Sequence, residues 1–229
     1  MCPGFLPGFC HDAARQGNDQ ITPTTIAPTA CPPAPAAESF RHLLRRSTAR
    51  DHDRVEKLFA PMLADPVRHL DRFLQAQAAG FAALRLAAPD LPGGSVLPQV
   101  LDVLQADCAA RGLPVPRLAA PHRLDPLAAE YIATGSRLGT EVLRRRLTEA
   151  GHAPLPRSFT ATQAPAEWRA LCTLLDGIDP ASPRAARICA DARRAFQIFA
   201  LAAQAPPAAS PPRQAPPRPA QTRKDLLLG

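Results

Sequence analysis

The chain has 229 residues, with 27 Lys and Arg against 20 Asp and Glu and a net charge of +7. This length suits one domain of ordinary size or two small ones. No apolar run approaches the roughly 20 residues of a transmembrane helix, so no membrane span is expected. Because the start lacks a basic segment followed by a continuous apolar one, we expect a cytoplasmic protein.

The basic charge comes almost entirely from arginine, since the only lysines are Lys57 and Lys224. Together with abundant Ala and Pro, this composition is typical of a GC-rich genome, which weakens arginine content as evidence for nucleic-acid binding. No recognition motif for nucleic acid is visible, and we expect no such partner. A basic surface suits an acidic protein partner or an anionic ligand.

Many of the 28 prolines cluster at the two ends of the chain, where no periodic apolar pattern is visible. Such segments cannot bury enough apolar surface to fold. We therefore predict a disordered arm over 1–37, a helical domain over 38–204 and a disordered, Pro-rich basic tail over 205–229.

The middle of the chain has the apolar periodicity of helices, and no segment alternates as a strand would. Capping residues followed by proline mark three helix starts, at Asp65, Asp125 and Ser182. Six helices are predicted, over about 39–59, 66–88, 96–111, 126–150, 165–175 and 183–203. The predicted fold class is a single-domain all-α bundle.

His52 lies on the apolar stripe of the first predicted helix. A histidine in that position is more often a core residue than a ligand. Glu56, however, follows four residues later on the same helix face. A carboxylate commonly accepts the second ring N–H of a metal-bound histidine. We therefore take His52 as a candidate metal ligand and Glu56 as its candidate partner.

Gly135 and Gly139 share one face of the fourth predicted helix. Each glycine costs the helix roughly 1 kcal/mol relative to alanine. A face without side chains lets a flat molecule or another backbone approach closely. Helix packing is the simpler interpretation of such a pair. The small hydroxyl side chains of Ser136 and Thr140 instead suit a site where water or a polar diatomic molecule lies over a flat ligand.

The six cysteines form no Cys-x-x-Cys pair, which argues against a zinc site. Three of them fall on the apolar faces of predicted helices, namely Cys108, Cys172 and Cys189. We expect these three to be buried free thiols.

Two segments resemble the biliverdin-producing haem oxygenases, most closely their bacterial, bacteriophytochrome-associated branch. Residues 44–56, LRRSTARDHDRVE, are similar to the proximal Leu-Arg-x-x-Thr-x-x-x-His pattern of that family. Residues 131–143, YIATGSRLGTEVL, resemble its distal Gly-Ser-x-Leu-Gly stretch. Order, spacing and intervening helices agree over about 39–203. The resemblance implies a haem-oxygenase-like fold and cleavage of haem b by O2 to biliverdin, CO and ferrous iron.

The same resemblance implies roles for individual residues. His52 would be the proximal iron ligand, with Glu56 as its hydrogen-bond partner. Gly135 and Gly139 would lie against the distal haem face. Propionate contacts would come from Arg45 and, more loosely aligned, from Arg193 or Arg194.

This chain departs from the family pattern on the distal side. Many members have Asp where Ser136 stands, and a second glycine where Thr140 stands. Thr140 would narrow the pocket. Proton delivery would then run through Arg137, Tyr131 or water held by the backbone.

Partners also follow from the resemblance. No Gly-x-Gly-x-x-Gly motif for a nucleotide or flavin is visible, so electrons would come from an external ferredoxin or reductase. A bacteriophytochrome could accept the biliverdin. Two alternatives stay open: a non-enzymatic haem-binding or haem-sensing protein on the same fold, and a haem-free helical interaction module.

Overall fold

The computed structural model of the chain describes residues 38–120, 122–160 and 164–206. The predictions for the arm over 1–37 and for the tail from 207 onward lie outside the described residues. The described part is entirely helical, as predicted, with no strand. Its elements are α1 (Phe40–Ala64), α2 (Pro66–Ala87), α3 (Leu97–Ala110), α4 (Pro126–Glu149), a 3-10 helix (Arg157–Phe159), α5 (Ala164–Asp176) and α6 (Pro183–Gln204).

Local sequence explains where three of these helices begin. At each predicted cap, a side-chain oxygen accepts a backbone N–H of the first turn, and proline occupies the first helical position. The three bonds are Arg68 N to Asp65 at 3.1 Å, Leu127 N to Asp125 at 2.9 Å and Ala185 N to Ser182 at 3.1 Å.

Helix α1 is longer than its sequence pattern predicts. The expected end near Phe59 is wrong, because the helix continues through Pro61 to Ala64. Proline removes one backbone hydrogen bond from a helix interior. Met62, which is only 2% exposed, anchors the extra turn in the core and offsets that loss.

Helix α6 is the central element of the bundle. It packs against α1, α2 and α4, whereas α1 and α4 make few contacts with one another. Several inward positions of α6 are alanines, including the fully buried Ala185, Ala192 and Ala195. Small side chains at these positions let the surrounding helices approach α6 closely.

Three buried carboxylates join elements that are distant in sequence. Glu130 of α4 accepts hydrogen bonds at the start of α3, Asp107 of α3 holds the 3-10 helix, and Asp191 of α6 holds the start of α4. Their backbone donors are Val96 N at 3.2 Å, Arg157 N and Ser158 N at 2.8 Å each, and Asp125 N at 2.9 Å. These bonds satisfy orphan N–H groups at helix starts.

The cysteines of the described residues are free thiols. Cys108 and Cys172 are buried, as predicted, and Cys189 is partly buried. Burial raises the pKa of the Cys108 thiol to about 11, which leaves it protonated and unreactive at neutral pH.

None of the described helices combines the length and the apolar character needed to cross a bilayer.

Helix α2 packs closely against α6 at Gly80. A Cβ atom added there would lie 2.8 Å from two ring carbons of Phe199. Carbon atoms do not normally come nearer than about 3.5 Å. The packing of α2 on α6 therefore requires glycine at this position.

We expect Gly80→Ala to lower the free energy of unfolding by about 1–3 kcal/mol, because the new methyl group displaces the Phe199 ring. Urea denaturation measures this change. Gly93→Ala is the matched control, since a Cβ at Gly93 meets nothing within 4 Å. Equal stability of the two variants would show that α2 and α6 do not approach as described.

Candidate functional site

A cavity of about 150 Å³ lies between α1 and α4 and is bordered by α2 and α6. Most of its lining side chains are apolar, among them Val55, Phe59, Leu143 and Phe196. Seven of the residues singled out from the sequence line it together: His52, Glu56, Tyr131, Gly135, Ser136, Gly139 and Thr140. The four predicted arginines, Arg45, Arg137, Arg193 and Arg194, do not line it.

His52 enters this cavity from α1, with 19% of its side chain exposed. The edge of its ring meets Phe196, with centroids 5.7 Å apart and the planes at 84°. Burial lowers the pKa of His52, and the nearby carboxylates of Glu56 and Asp53 oppose that shift. A histidine with a lowered pKa is neutral at pH 7, which is the form that binds a metal ion.

Glu56 is adjacent to His52 but does not form the hydrogen bond that the resemblance implied. Its Oε1 lies 3.8 Å from His52 Nε2, and Asp53 Oδ1 lies 3.9 Å from His52 Nδ1. Both separations exceed the usual hydrogen-bond length. The three side chains could together chelate a metal ion. Asp53, however, is 67% exposed and is not among the residues that line the cavity.

Gly139 faces open space. A Cβ built on Gly139 meets no atom of the described residues within 4 Å. The contrast with Gly80 is direct, because a Cβ at Gly80 would overlap a packed ring. Helix packing therefore does not explain the glycine at 139. Gly135, one turn earlier, is buried and lines the same cavity.

The hydroxyl groups beside the glycines direct their hydrogens to the backbone of α4. Ser136 Oγ donates to the carbonyl of Ala133 at 2.9 Å, and Thr140 Oγ1 donates to the carbonyl of Ser136 at 3.0 Å. Their remaining lone pairs can accept a hydrogen bond from water but cannot supply a proton.

Tyr131 is buried at the same cavity, and burial raises its pKa. Its side chain is hydrogen-bonded to Thr48 of α1. The phenol therefore connects the two helices that form the cavity and stays protonated at neutral pH.

Three of the predicted arginines form ion pairs instead of lining the cavity. Arg137 Nη1 lies 2.9 Å from Glu167 Oε2 of α5. Arg193 Nε lies 3.0 Å from Asp51 Oδ2 of α1, and Arg194 Nη1 lies 2.7 Å from Asp191 Oδ1. Neither Arg193 nor Arg194 is thus directed towards the cavity as a ligand contact.

Arg45 differs from these arginines because its side chain makes no hydrogen bond or ion pair within the described part of the chain. It is exposed on α1. Its charge is near enough to act on the pKa of both His52 and Tyr131. A cation near the cavity is thus available for an anionic group.

Gln77 of α2 also lines the cavity and was not singled out from the sequence. Its amide can both donate and accept hydrogen bonds. Only a weak indication of this position was visible in the sequence, since Gln77 is a polar residue within the alanine-rich stretch 76–79 of α2. Only the packing of the helices shows that this residue faces the same space as His52 and Gly139.

Comparison of the chain with protein-family models, with curated proteins and with solved structures gives no match. The residues and geometry of this cavity are therefore the basis for proposing a function.

We expect Gly139→Ala to raise the free energy of unfolding of the ligand-free protein by up to about 1 kcal/mol, because alanine favours helix and has room here. Thermal denaturation compares this variant with the wild type. A destabilised Gly139→Ala would mean that the glycine face packs against another part of the protein.

Proposed function

We propose that the chain is a haem oxygenase, which cleaves haem oxidatively to biliverdin, CO and ferrous iron. The proposal is supported mainly by one cavity that combines a neutral histidine on α1 with a side-chain-free position on α4. His52 and Gly139 are 87 residues apart in sequence, yet both line this space. Two motifs that resemble the same family thus meet at one site.

The chemical character of the cavity lining would suit haem. The lowered pKa of His52 keeps its imidazole in the form that binds iron. The apolar lining suits the porphyrin ring, and exposed Arg45 suits a propionate. Haem would supply the iron that binds O2 and the ring that is oxidised.

The chain's own residues would bind and orient haem, O2 and water, and would not themselves be oxidised or reduced. His52 would hold the substrate from α1. The open face at Gly139 leaves room for a small molecule such as O2. Ser136 and Thr140 can accept hydrogen bonds from water, and Gln77 offers the N–H donors that these hydroxyls lack.

Electrons would come from an external ferredoxin or reductase in the cytoplasm. Arg50, Arg54 and Lys57 are exposed at spacings of three and four along the outer side of α1. None of them forms an ion pair within the described residues. This basic face, on the helix that carries His52, would attract an acidic donor. A bacteriophytochrome is the proposed acceptor of the biliverdin.

A second candidate function is non-enzymatic haem binding or sensing. It is favoured by the distal side chains, because Ser136 and Thr140 donate to the backbone and Arg137 is paired with Glu167. A haem-free interaction module would need a partner protein to pack against the open face at Gly139.

We expect His52→Ala to lose the ferric haem spectrum of the wild type, because its iron ligand is removed. Titration with hemin, followed at the Soret band, measures this loss. His42→Ala is the matched control, since His42 is an exposed residue of the same helix. An identical spectrum for His52→Ala and the wild type would refute His52 as the ligand.

We expect the hemin-loaded wild type to lose its Soret band in air with an electron source and to form biliverdin. Gln77→Leu should bind hemin normally but turn over about 100-fold more slowly, because water on the distal side loses its positioning. Gln197→Leu, at an exposed position of α6, is the control.

Two results of this assay would contradict different parts of the proposal. If the wild-type complex keeps its Soret band, the protein binds haem without cleaving it, which is the second candidate function. Normal turnover by Gln77→Leu would remove only the role given to Gln77.

A further inference from the structure

A second cavity, of about 280 Å³, lies between α2, α3, α4 and the 3-10 helix. It meets the first cavity at Phe73, Gln77, Ser136 and Thr140, which line both. Its other lining residues do not line the first cavity.

The lining of this second cavity is divided between apolar and basic groups. Phe81, Val103 and Leu104 contribute apolar surface from α2 and α3. Arg137 and Arg157 are its basic lining residues, and no Asp or Glu is among the lining residues. A ligand that fits both parts has an apolar body and a negatively charged group.

The two arginines are held in different ways. Arg137 is paired with Glu167, which does not line the cavity. The backbone N–H of Arg157 donates to Asp107, which fixes the start of the 3-10 helix. The guanidinium of Arg157 forms no ion pair with any described residue. Its charge is therefore available to an incoming anion.

Two buried polar atoms of lining residues lack a hydrogen-bond partner among the described residues: Arg137 Nε and Ser158 Oγ. Buried polar atoms in proteins are nearly always paired, so such atoms commonly indicate a missing water or ligand. A guanidinium N–H can only donate. The missing partner of Arg137 Nε must therefore be a hydrogen-bond acceptor.

We propose that the second cavity binds a small organic carboxylate with an apolar body. The carboxylate pairs with the guanidinium groups of Arg157 and Arg137, because guanidinium and carboxylate match in geometry and charge. The apolar body lies against Phe81, Val103 and Leu104. The groups that bind this carboxylate differ from those that would hold haem, although Phe73, Gln77, Ser136 and Thr140 line both cavities.

Isothermal titration calorimetry of the full chain, without hemin, tests the proposal. The probes are 3-phenylpropionate, its neutral amide and inorganic phosphate. We expect 3-phenylpropionate to bind at least about tenfold more tightly than either of the others, since only it combines charge with an apolar body. Equal binding of the amide or of phosphate, or no binding of the carboxylate at millimolar concentration, would overturn the proposal.

Three variants test where 3-phenylpropionate binds. Arg157→Met should weaken 3-phenylpropionate binding about tenfold. Arg169→Met, at an exposed position of α5 outside the cavity, should leave it unchanged. Val103→Phe fills the apolar part and should abolish binding while circular dichroism shows unchanged helix content. Wild-type affinity in both Arg157→Met and Val103→Phe would refute the site. Because hemin is absent, failure of the haem proposal leaves these outcomes unaffected.

Discussion

Helix α6 determines which helices of the bundle pack together and where a cavity is left between them. It packs against α1, α2 and α4, and it reaches α2 so closely that Gly80 has no room for a side chain beside Phe199. Helices α1 and α4 are thereby held on the same central helix while making few contacts with each other. The space left between them is the first cavity, which Phe196 and Phe199 of α6 also line.

Gly80 and Gly139 differ in what surrounds them. At Gly80, the absence of a side chain allows α2 and α6 to pack closely. At Gly139, glycine destabilises the helix by roughly 1 kcal/mol relative to alanine, although an alanine Cβ would meet nothing within 4 Å. Helix packing therefore explains the glycine at 80 and does not explain the glycine at 139. A ligand that occupies the space beside α4, as proposed here, would explain Gly139.

Much of the fold could be predicted because its signals are local. Asp65, Asp125 and Ser182 mark helix starts through bonds within one turn. The pairing of the arginines could not be predicted, because Arg137 and Arg193 bind carboxylates 30 and 142 residues away in sequence. Gln77 was missed for the same reason: only the packing of α2 against α4 brings its amide to the cavity. The convergence of His52 and Gly139 followed from motif resemblance and not from periodicity.

Cleavage of the haem ring at one meso carbon, as distinct from haem binding alone, is the activity proposed for this cavity. The amount of carbon monoxide released per haem consumed distinguishes the two. The measurement uses hemin-loaded protein, O2 and an electron source, with catalase present to remove free peroxide. We expect one CO and one biliverdin for each haem lost, and neither from His52→Ala. Loss of haem without release of CO would refute haem cleavage by this protein.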